Sequence, residues 1–289
     1  LSLYLAGTIV RPIRQLAVAA ESVRRRPRQR AAIPDFSSRR DEIGELSAVL
    51  GNMTAALYDR LEAIEAFAAD VAHEVRNPIT SIRSAVETLE RQPEPAQQQR
   101  LMAIIADDVQ RLDRLIGDIA DASRLDAELA RAEAFPVDLE ALTRTLIEVE
   151  HQEDGPDIEL EIAAERAGAY VVPGLEGRLG QVLRNLLDNA VSFSPPGGAI
   201  ELDVRRQLDR VRVIVSDQGP GLPEDKLEAI FERFYSERPE GEAFGRHSGL
   251  GLSISRQIIE AHGGAIWAEN RHDADGTVVG ARFTVELPV

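Results

Sequence analysis

The chain contains no cysteine. That excludes disulfides, cysteine-ligated zinc and a thiol nucleophile, and it fits a reducing compartment. Aromatic residues are only 4% of the 289, so aliphatic helix packing has to supply most of the core. Cations are also in short supply. Lys plus Arg number 33 against 49 Asp plus Glu, a formal net charge of −16. Nucleic-acid phosphates repel so acidic a chain, which argues against DNA or RNA as a partner. No long hydrophobic run is present either: Leu1 to Val10 is apolar but ends at Arg11, and a membrane span needs about 20 such residues. It lacks the basic start and cleavage site of a signal peptide. Arg11, Arg14, Arg24, Arg25 and Arg26 follow at once, as they do on the cytoplasmic side of a span. The expectation is therefore that residues 1–10 are the last turns of a transmembrane helix mostly missing from this chain.

What is present reads as two or three domains. Residues 11 to about 57 read as two helices joined by a connector. Pro12 suits a first helical position, with Ile13, Leu16, Ala20 and Val23 at helical spacing. Pro27 and Pro34 break the pattern, and Asp41 is placed to cap a second helix. Its apolar seam, Ile43, Leu46, Leu50, Met53 and Leu57, steps by four again to Leu61, then continues through Ile64, Ala68, Val71 and Val75. Two consecutive steps of four are a stutter, a change of coiled-coil phase inside a helix that stays continuous. A second long helix fits Gln97 to Leu125, with Leu101, Ile105, Leu112, Leu115 and Ile119 on one face, after a break at Gln92 to Ala96 set by Pro93 and Pro95. Two seams this narrow predict self-association into a four-helix bundle.

From about Phe135 the period changes. A helix from Asp138 to Glu150 is predicted, another over Arg178 to Val191, and strands at 158–162, 170–172, 199–206, 211–216, 265–269 and 282–287. This reads as an α/β sandwich of about 150 residues.

Four clusters carry chemistry. His73 falls between the seam residues Val71 and Val75, so it points outward. Glu74 offers a carboxylate for its Nδ1 proton, leaving Nε2 as a nucleophile, and Pro78 removes the hydrogen bond to the Glu74 carbonyl, predicting a kink or loosened turn. Asn185 and Asn189, four apart, share one helix face; they are Mg²⁺ ligands of a polyphosphate site or ordinary surface amides. Asp217, with Gly219 and Gly221, follows an apolar strand, where it can accept a hydrogen bond from an exocyclic amine or simply shape a turn. Ser248, Gly249, Leu250 and Gly251 open a helix whose N-terminus can face phosphate. The roughly 27 residues between the last two clusters, with Phe231, Phe234 and Tyr235 embedded, read as a mobile lid.

In this order the clusters resemble the boxes of a two-component sensor histidine kinase. Residues 11–60 resemble a HAMP signal-relay module, and His73 to Pro78 the H box of a dimerisation and phosphoacceptor domain over 61–130. Asn185 to Ala190 resembles the N box, Asp217 to Gly221 the G1 box, Phe231 to Tyr235 the F box and Ser248 to Leu252 the G2 box of a catalytic domain over 131–289. The stretch Ser81 to Leu89 and the lid are similar to the ChvG branch, which is tied to acid and envelope sensing. The fold class implied is multidomain α and α+β: a helical HAMP module, a dimeric four-helix bundle, then an α/β sandwich of the GHKL (Bergerat) ATP-binding type.

The resemblance also implies roles. His73 takes the γ-phosphoryl group of ATP, Glu74 is its base, and Asn77 positions water for dephosphorylation of a response regulator. Asn185 and Asn189 hold Mg²⁺ and phosphates, and Asp217 reads adenine. Gly219, Gly221, Phe231, Arg233, Phe234, Ser248, Gly249, Leu250 and Gly251 complete the nucleotide site. A homodimer anchored in the inner membrane, with this segment cytoplasmic and no nucleic acid as partner, follows. Two departures stand out: Ser192 and Ser236 replace a lysine and an arginine usual in the family, with Arg233, Arg238 and Arg246 as candidate substitutes. Gly276 to Phe283 is longer than the usual last glycine box. A GHKL-type ATPase without a phosphohistidine, or a silent nucleotide-binding scaffold, are the competing readings.

Overall fold

The computed structural model describes residues 6–25, 32–91, 94–129, 131, 133–150, 157–162, 169–195, 197–235 and 249–289. The chain forms two compact units, residues 1–74 and 75–289. Among the described residues, no helix is long and apolar enough to cross a membrane.

In the first unit a π-helical turn, Ala6–Val10, leads into α1, Arg11–Arg25. The buried stripe of α1 is Pro12, Leu16, Ala19 and Val23. Ile13 and Ala20, expected on that stripe, are exposed and half-buried. The second helix, α2, is continuous over Glu42–Leu89 and runs through Pro78. Its buried positions in this unit are Ile43, Ser47, Thr54 and Tyr58, whereas the seam residues Leu46, Met53, Leu57 and Ile64 are exposed. The apolar seam therefore faces away from the chain's own first unit.

The connector is fastened to α2 by polar bonds. Ser47 Oγ donates to the Pro34 carbonyl (2.8 Å) and accepts from the Phe36 N–H (2.9 Å). Pro12 has no N–H to give to the carbonyl four residues back, that of Thr8; Arg39 Nη2 donates to this carbonyl at 3.1 Å. The same guanidinium grips Asp41, Nε to Oδ1 at 3.0 Å, and Asp41 Oδ1 caps α2 by accepting from the Gly44 N–H at 3.1 Å. A Cβ on Gly44 would sit 2.3 Å from the Arg39 carbonyl oxygen, so only glycine lets the connector cross here.

The second unit begins on α2 and continues into α3, Pro95–Leu129. Pro95 was expected to lie in the break; it is instead the first residue of α3, where a missing N–H costs nothing. Leu115 is buried and Leu101, Ile105, Leu112 and Ile119 are half-buried, as their spacing predicts. A separate stripe of Met102, Val109 and Ile116, seven residues apart, is exposed, as are Ile79 and Val86.

Beyond α3 come β1 (Phe135–Asp138), α4 (Leu139–Glu150), β2 (Asp157–Ile162), β3 (Val171–Gly174), α5 (Glu176–Phe193), β4 (Ala199–Gln207), β5 (Arg210–Ser216), α6 (Gly251–Ala261), β6 (Ala265–His272) and β7 (Val278–Pro288). β1 pairs antiparallel with β3. The other five form a sheet in the order β2-β4-β5-β7-β6, with only the β2–β4 pair parallel. Alternation places Ile200, Leu202 and Val204 of β4 and Val211, Val213 and Val215 of β5 in the core. Leu179, Leu183 and Leu186 of α5 and Ile254 and Ile258 of α6 are buried with them, each contributing about 1.5–3 kcal/mol of apolar burial.

The Arg39 ion pair holds the Asp41 carboxyl down to about 2, with the Gly44 and Ile43 amides adding to the effect. A depressed carboxylate contributes stability that is present above its unfolded pKa and is lost as pH falls through the folded one. Protection of the Gly44 amide from hydrogen exchange is expected to fall in the order wild type, Asp41→Asn, Asp41→Ala. The gap between wild type and Asp41→Asn should close as pH drops from about 4 towards 2.

Candidate functional site

The end of β5 carries the first element of the site. Asp217 is buried, and its Oδ1 accepts two backbone N–H bonds, from Gly219 and from Ala281, each at 2.9 Å. One carboxylate oxygen is thus committed, and the other is left to meet an outside donor. Burial raises the pKa of Asp217; the two amides and Arg271 pull the other way. Gly280 lies against this carboxylate's backbone, where a Cβ would come within 2.0 Å of the Asp217 carbonyl oxygen. Gly221, at φ +79°, faces Val278 so closely that a Cβ would sit 2.3 Å from its Cγ1.

The β6–β7 hairpin braces that turn. Asn270 accepts from the Leu222 N–H and donates to the Leu222 carbonyl, both at 2.7 Å. Arg271 donates to the Asp217 carbonyl (2.9 Å) and to Glu201 (2.9 Å). A cavity of about 460 Å³ lined by Gln218, Gly219, Arg271, Val278 and Val279 opens beside it. The extra length noticed between Gly276 and Phe283 belongs to this hairpin.

On α5, Asn185 and Asn189 are half-buried one turn apart. Asn185 Nδ2 donates to the Gly251 carbonyl at 3.0 Å and to Ser255 Oγ at 3.2 Å, so α6 holds this amide from one side. The α5 N-terminus is tied to the other end of α6 by His262. Its Nδ1 faces the Ile258 carbonyl (2.7 Å) and its Nε2 accepts from the Leu175 N–H (3.0 Å).

Of the roughly 27 residues read as a mobile lid, 222–235 are described, and the remainder lies outside the described residues. Two 3₁₀ turns, Glu224–Lys226 and Ala229–Phe231, order this stretch. Phe231 is buried edge-on against Phe283, with the Arg256 guanidinium 4.3 Å from its ring centroid. Buried aromatic area outweighs loop freedom here. Phe234, at φ +61°, donates its N–H to the Gly249 carbonyl at 2.9 Å. Gly249, at φ +75°, has no room for a Cβ beside the Phe234 backbone. Leu250 is fully buried, while Arg233 is exposed. Lys226 lies over the Tyr235 ring. Ser248, together with Ser236, Arg238 and Arg246, lies outside the described residues.

His73 is exposed on α2 and Glu74 beside it is half-buried, with Asn77 one turn further along the same helix and exposed. Within the α/β domain the structure brings Asn185 against Gly251 and Phe234 against Gly249, and it gathers Asp217, Gly219 and Gly221 in the turn that follows β5. Gly280, Ala281, Asn270, Ser255 and His262 were not foreseen. Of these, Gly280 alone had a local signal, as the glycine of the segment preceding the last strand.

The comparisons identify this mixed sheet backed by helices, with an acid at a central strand end and paired amides on one helix, as an ATP-binding domain. Residues 174–289 match the model described as "Histidine kinase-, DNA gyrase B-, and HSP90-like ATPase". Residues 63–128 match the His Kinase A (phospho-acceptor) domain, and 4–59 the HAMP domain. The chain is 54% identical over 295 residues to "Sensor protein ChvG" of Agrobacterium fabrum, covering 100% of this chain and 50% of that protein. It is 36% identical over 267 residues to the "Signal transduction histidine-protein kinase/phosphatase MprB" of Mycolicibacterium smegmatis, covering 89% of this chain and 52% of that one. The chain thus spans about half the length of these relatives. A solved structure of histidine kinase ThkA in complex with response regulator protein TrrA is similar at 30% identity and a TM-score of 0.61, covering 80% of this chain and 63% of that one. The chain belongs to the sensor histidine kinases, in their ChvG-like branch.

Asp217→Asn keeps the shape of the carboxylate, but the oxygen must still face the Gly219 and Ala281 amides. The new NH₂ then points where an adenine amine would donate. ATP affinity measured by calorimetry is expected to drop roughly 10- to 100-fold, the loss of a charge-assisted hydrogen bond, with the thermal melt little changed. Because burial raises the wild-type pKa, ATP binding should begin to weaken on acidification at a higher pH than an ordinary aspartate would set.

Proposed function

We propose that this chain is the signalling core of a homodimeric sensor kinase that phosphorylates itself on His73 and passes the phosphoryl group to an aspartate of a response regulator. The exposed His73 with half-buried Glu74 beside it on a continuous helix, in a chain that also carries an ATP-binding domain, is the observation that carries this reading. In the reaction, His73 Nε2 forms a bond to the γ-phosphorus of ATP. The bond from that phosphorus to the β–γ bridging oxygen breaks, ADP departs, and the imidazole Nδ1 proton moves to Glu74. Asn77, one turn from His73, positions water for the reverse hydrolytic activity on the regulator.

Within the ATP site, Asp217 takes the adenine amine and the glycines at 219, 221, 249 and 251 admit the ligand's close approach. The amide oxygens of Asn185 and Asn189 suit Mg²⁺, a hard cation that takes oxygen ligands and neutralises phosphate charge when bound. Arg233, exposed beside this site, is our candidate for a cation in place of those lost at Ser192 and Ser236. Phe231, Phe234 and Leu250 shape the site from the core, and Ser248 is assigned to its phosphate end.

The exposed stripes on α2 and α3 support a homodimer, since Met102, Val109 and Ile116 at heptad spacing are what a second copy would cover. We adopt 1–10 as the end of a membrane helix, 11–60 as the relay module, 61–130 as the dimerisation domain and 131–289 as the catalytic domain. The basic flank after residue 10 supports anchorage in the inner membrane, with this part in the cytoplasm. A neutral-to-acid audit of the labelled product tests the chemistry. Incubation with γ-labelled ATP and Mg²⁺ should give label that is acid-labile, base-stable and absent from His73→Gln. Acid-stable label, or phosphate release without any label, would overturn the proposal.

A further inference from the structure

The contacts of Asn185 contain more than a placement. Gly251's carbonyl oxygen carries no hydrogen, so the Asn185 atom 3.0 Å from it has to be the nitrogen. Ser255 reinforces the choice. Its hydroxyl donates to the same Gly251 carbonyl at 2.8 Å, four residues back along α6. With its hydrogen committed there, Ser255 Oγ can only accept, and it accepts from Asn185 Nδ2 at 3.2 Å. Ser255 is wholly buried, so no water competes for that lone pair. Two acceptors on one helix thus hold the nitrogen of this carboxamide. A flipped amide would set its oxygen against the Gly251 carbonyl, two acceptors with no proton between them. The amide oxygen is therefore turned away from α6, on the helix face that Asn189 shares one turn further on.

We infer that Ser255 is a positioning residue of the nucleotide site, fixing the Asn185 amide so that its oxygen, not its nitrogen, is presented to the Mg²⁺ that accompanies the nucleotide. The inference rests on the Mg²⁺ role proposed above for Asn185. Asn185 touches the ion's site directly; Ser255 acts only through it. A hydroxyl on α6 thereby sets the chemistry of a side chain on α5, and Gly251 serves as the shared acceptor for both.

The test is nucleotide binding, not turnover. ADP affinity of the full 289-residue chain is measured by calorimetry with Mg²⁺ and again with EDTA, and the ratio of the two dissociation constants reports metal coupling. Ser255→Ala is expected to lower that ratio roughly 3- to 10-fold, the range of one hydrogen bond, while leaving the EDTA value within about 2-fold and the melting curve cooperative. Ser255→Thr, which keeps the hydroxyl, should restore the coupling. Asn185→Ala separates the two levels of the argument. If it leaves the ratio at the wild-type value, the Mg²⁺ role of Asn185 is wrong and the inference falls with it. If it collapses the ratio while Ser255→Ala does not, the Mg²⁺ role stands and the positioning role is refuted. An equal loss of affinity with and without metal in Ser255→Ala would make the residue a packing element only, which also overturns the inference.

Discussion

The catalytic domain depends on a single shared carboxylate oxygen. Asp217 Oδ1 receives N–H groups from its own turn and from β7, so it joins the end of β5 to its neighbour at the point where regular pairing stops. Ordinary ladder bonds already connect these strands through pairs such as Val215 with Phe283. The side chain extends the connection past the last pair and spends half of its acceptor capacity doing so. What remains is the second oxygen, fixed in direction by the bonds its twin makes. In the adenine-reading role proposed above, Asp217 would serve recognition of a flat amine-bearing base and the integrity of the strand ends with the same group. Gly280 follows from this, because the backbone of β7 has to pass within touching distance of Asp217.

A comparable economy organises the helices. His262 bonds backwards to its own helix and outwards to the N–H of Leu175, the N-cap of α5. Asn185, in the middle of α5, bonds to the first turn of α6. Helix α6 is therefore pinned to α5 at both of its ends, and the two helices are set relative to each other before any ligand arrives. Such preorganisation lowers the ordering cost of binding.

Much of this was legible in the residues. The alternation of β4 and β5, the helix bearing the paired asparagines and the cap at Asp41 all follow from local pattern, and the structure agrees. The failures have physical causes. β1 is four residues long and contains Pro136, so neither length nor propensity announces it; pairing with β3 makes it a strand. Pro95 looked like a breaker because a proline in a helix interior is costly, yet at the first position it is harmless. The order within 222–235 was not legible because it rests on contacts distant in sequence, Phe231 against Phe283 and Asn270 on Leu222 among them. Ser255 and His262 were invisible for the same reason: each acts on a partner more than 65 residues away. The α1 stripe was read through Ile13 and Ala20 and the α2 seam through Leu46, Met53 and Leu57, whereas Pro12 and Ala19 are buried on the one and Ser47, Thr54 and Tyr58 on the other.

Helix α2 is continuous over Glu42–Leu89, and its part within the first unit, from Glu42 to His73, rises roughly 46 Å at 1.5 Å per residue. Torque applied at its capped start has no joint at which to dissipate before the imidazole, some 31 positions downstream. Just afterwards comes Pro78, a residue inside the helix with no N–H of its own to add to the backbone ladder. A turn of the helix imposed at Glu42 is therefore passed along from rung to rung, and the His73 ring, projecting from the far end of that length, sweeps with it.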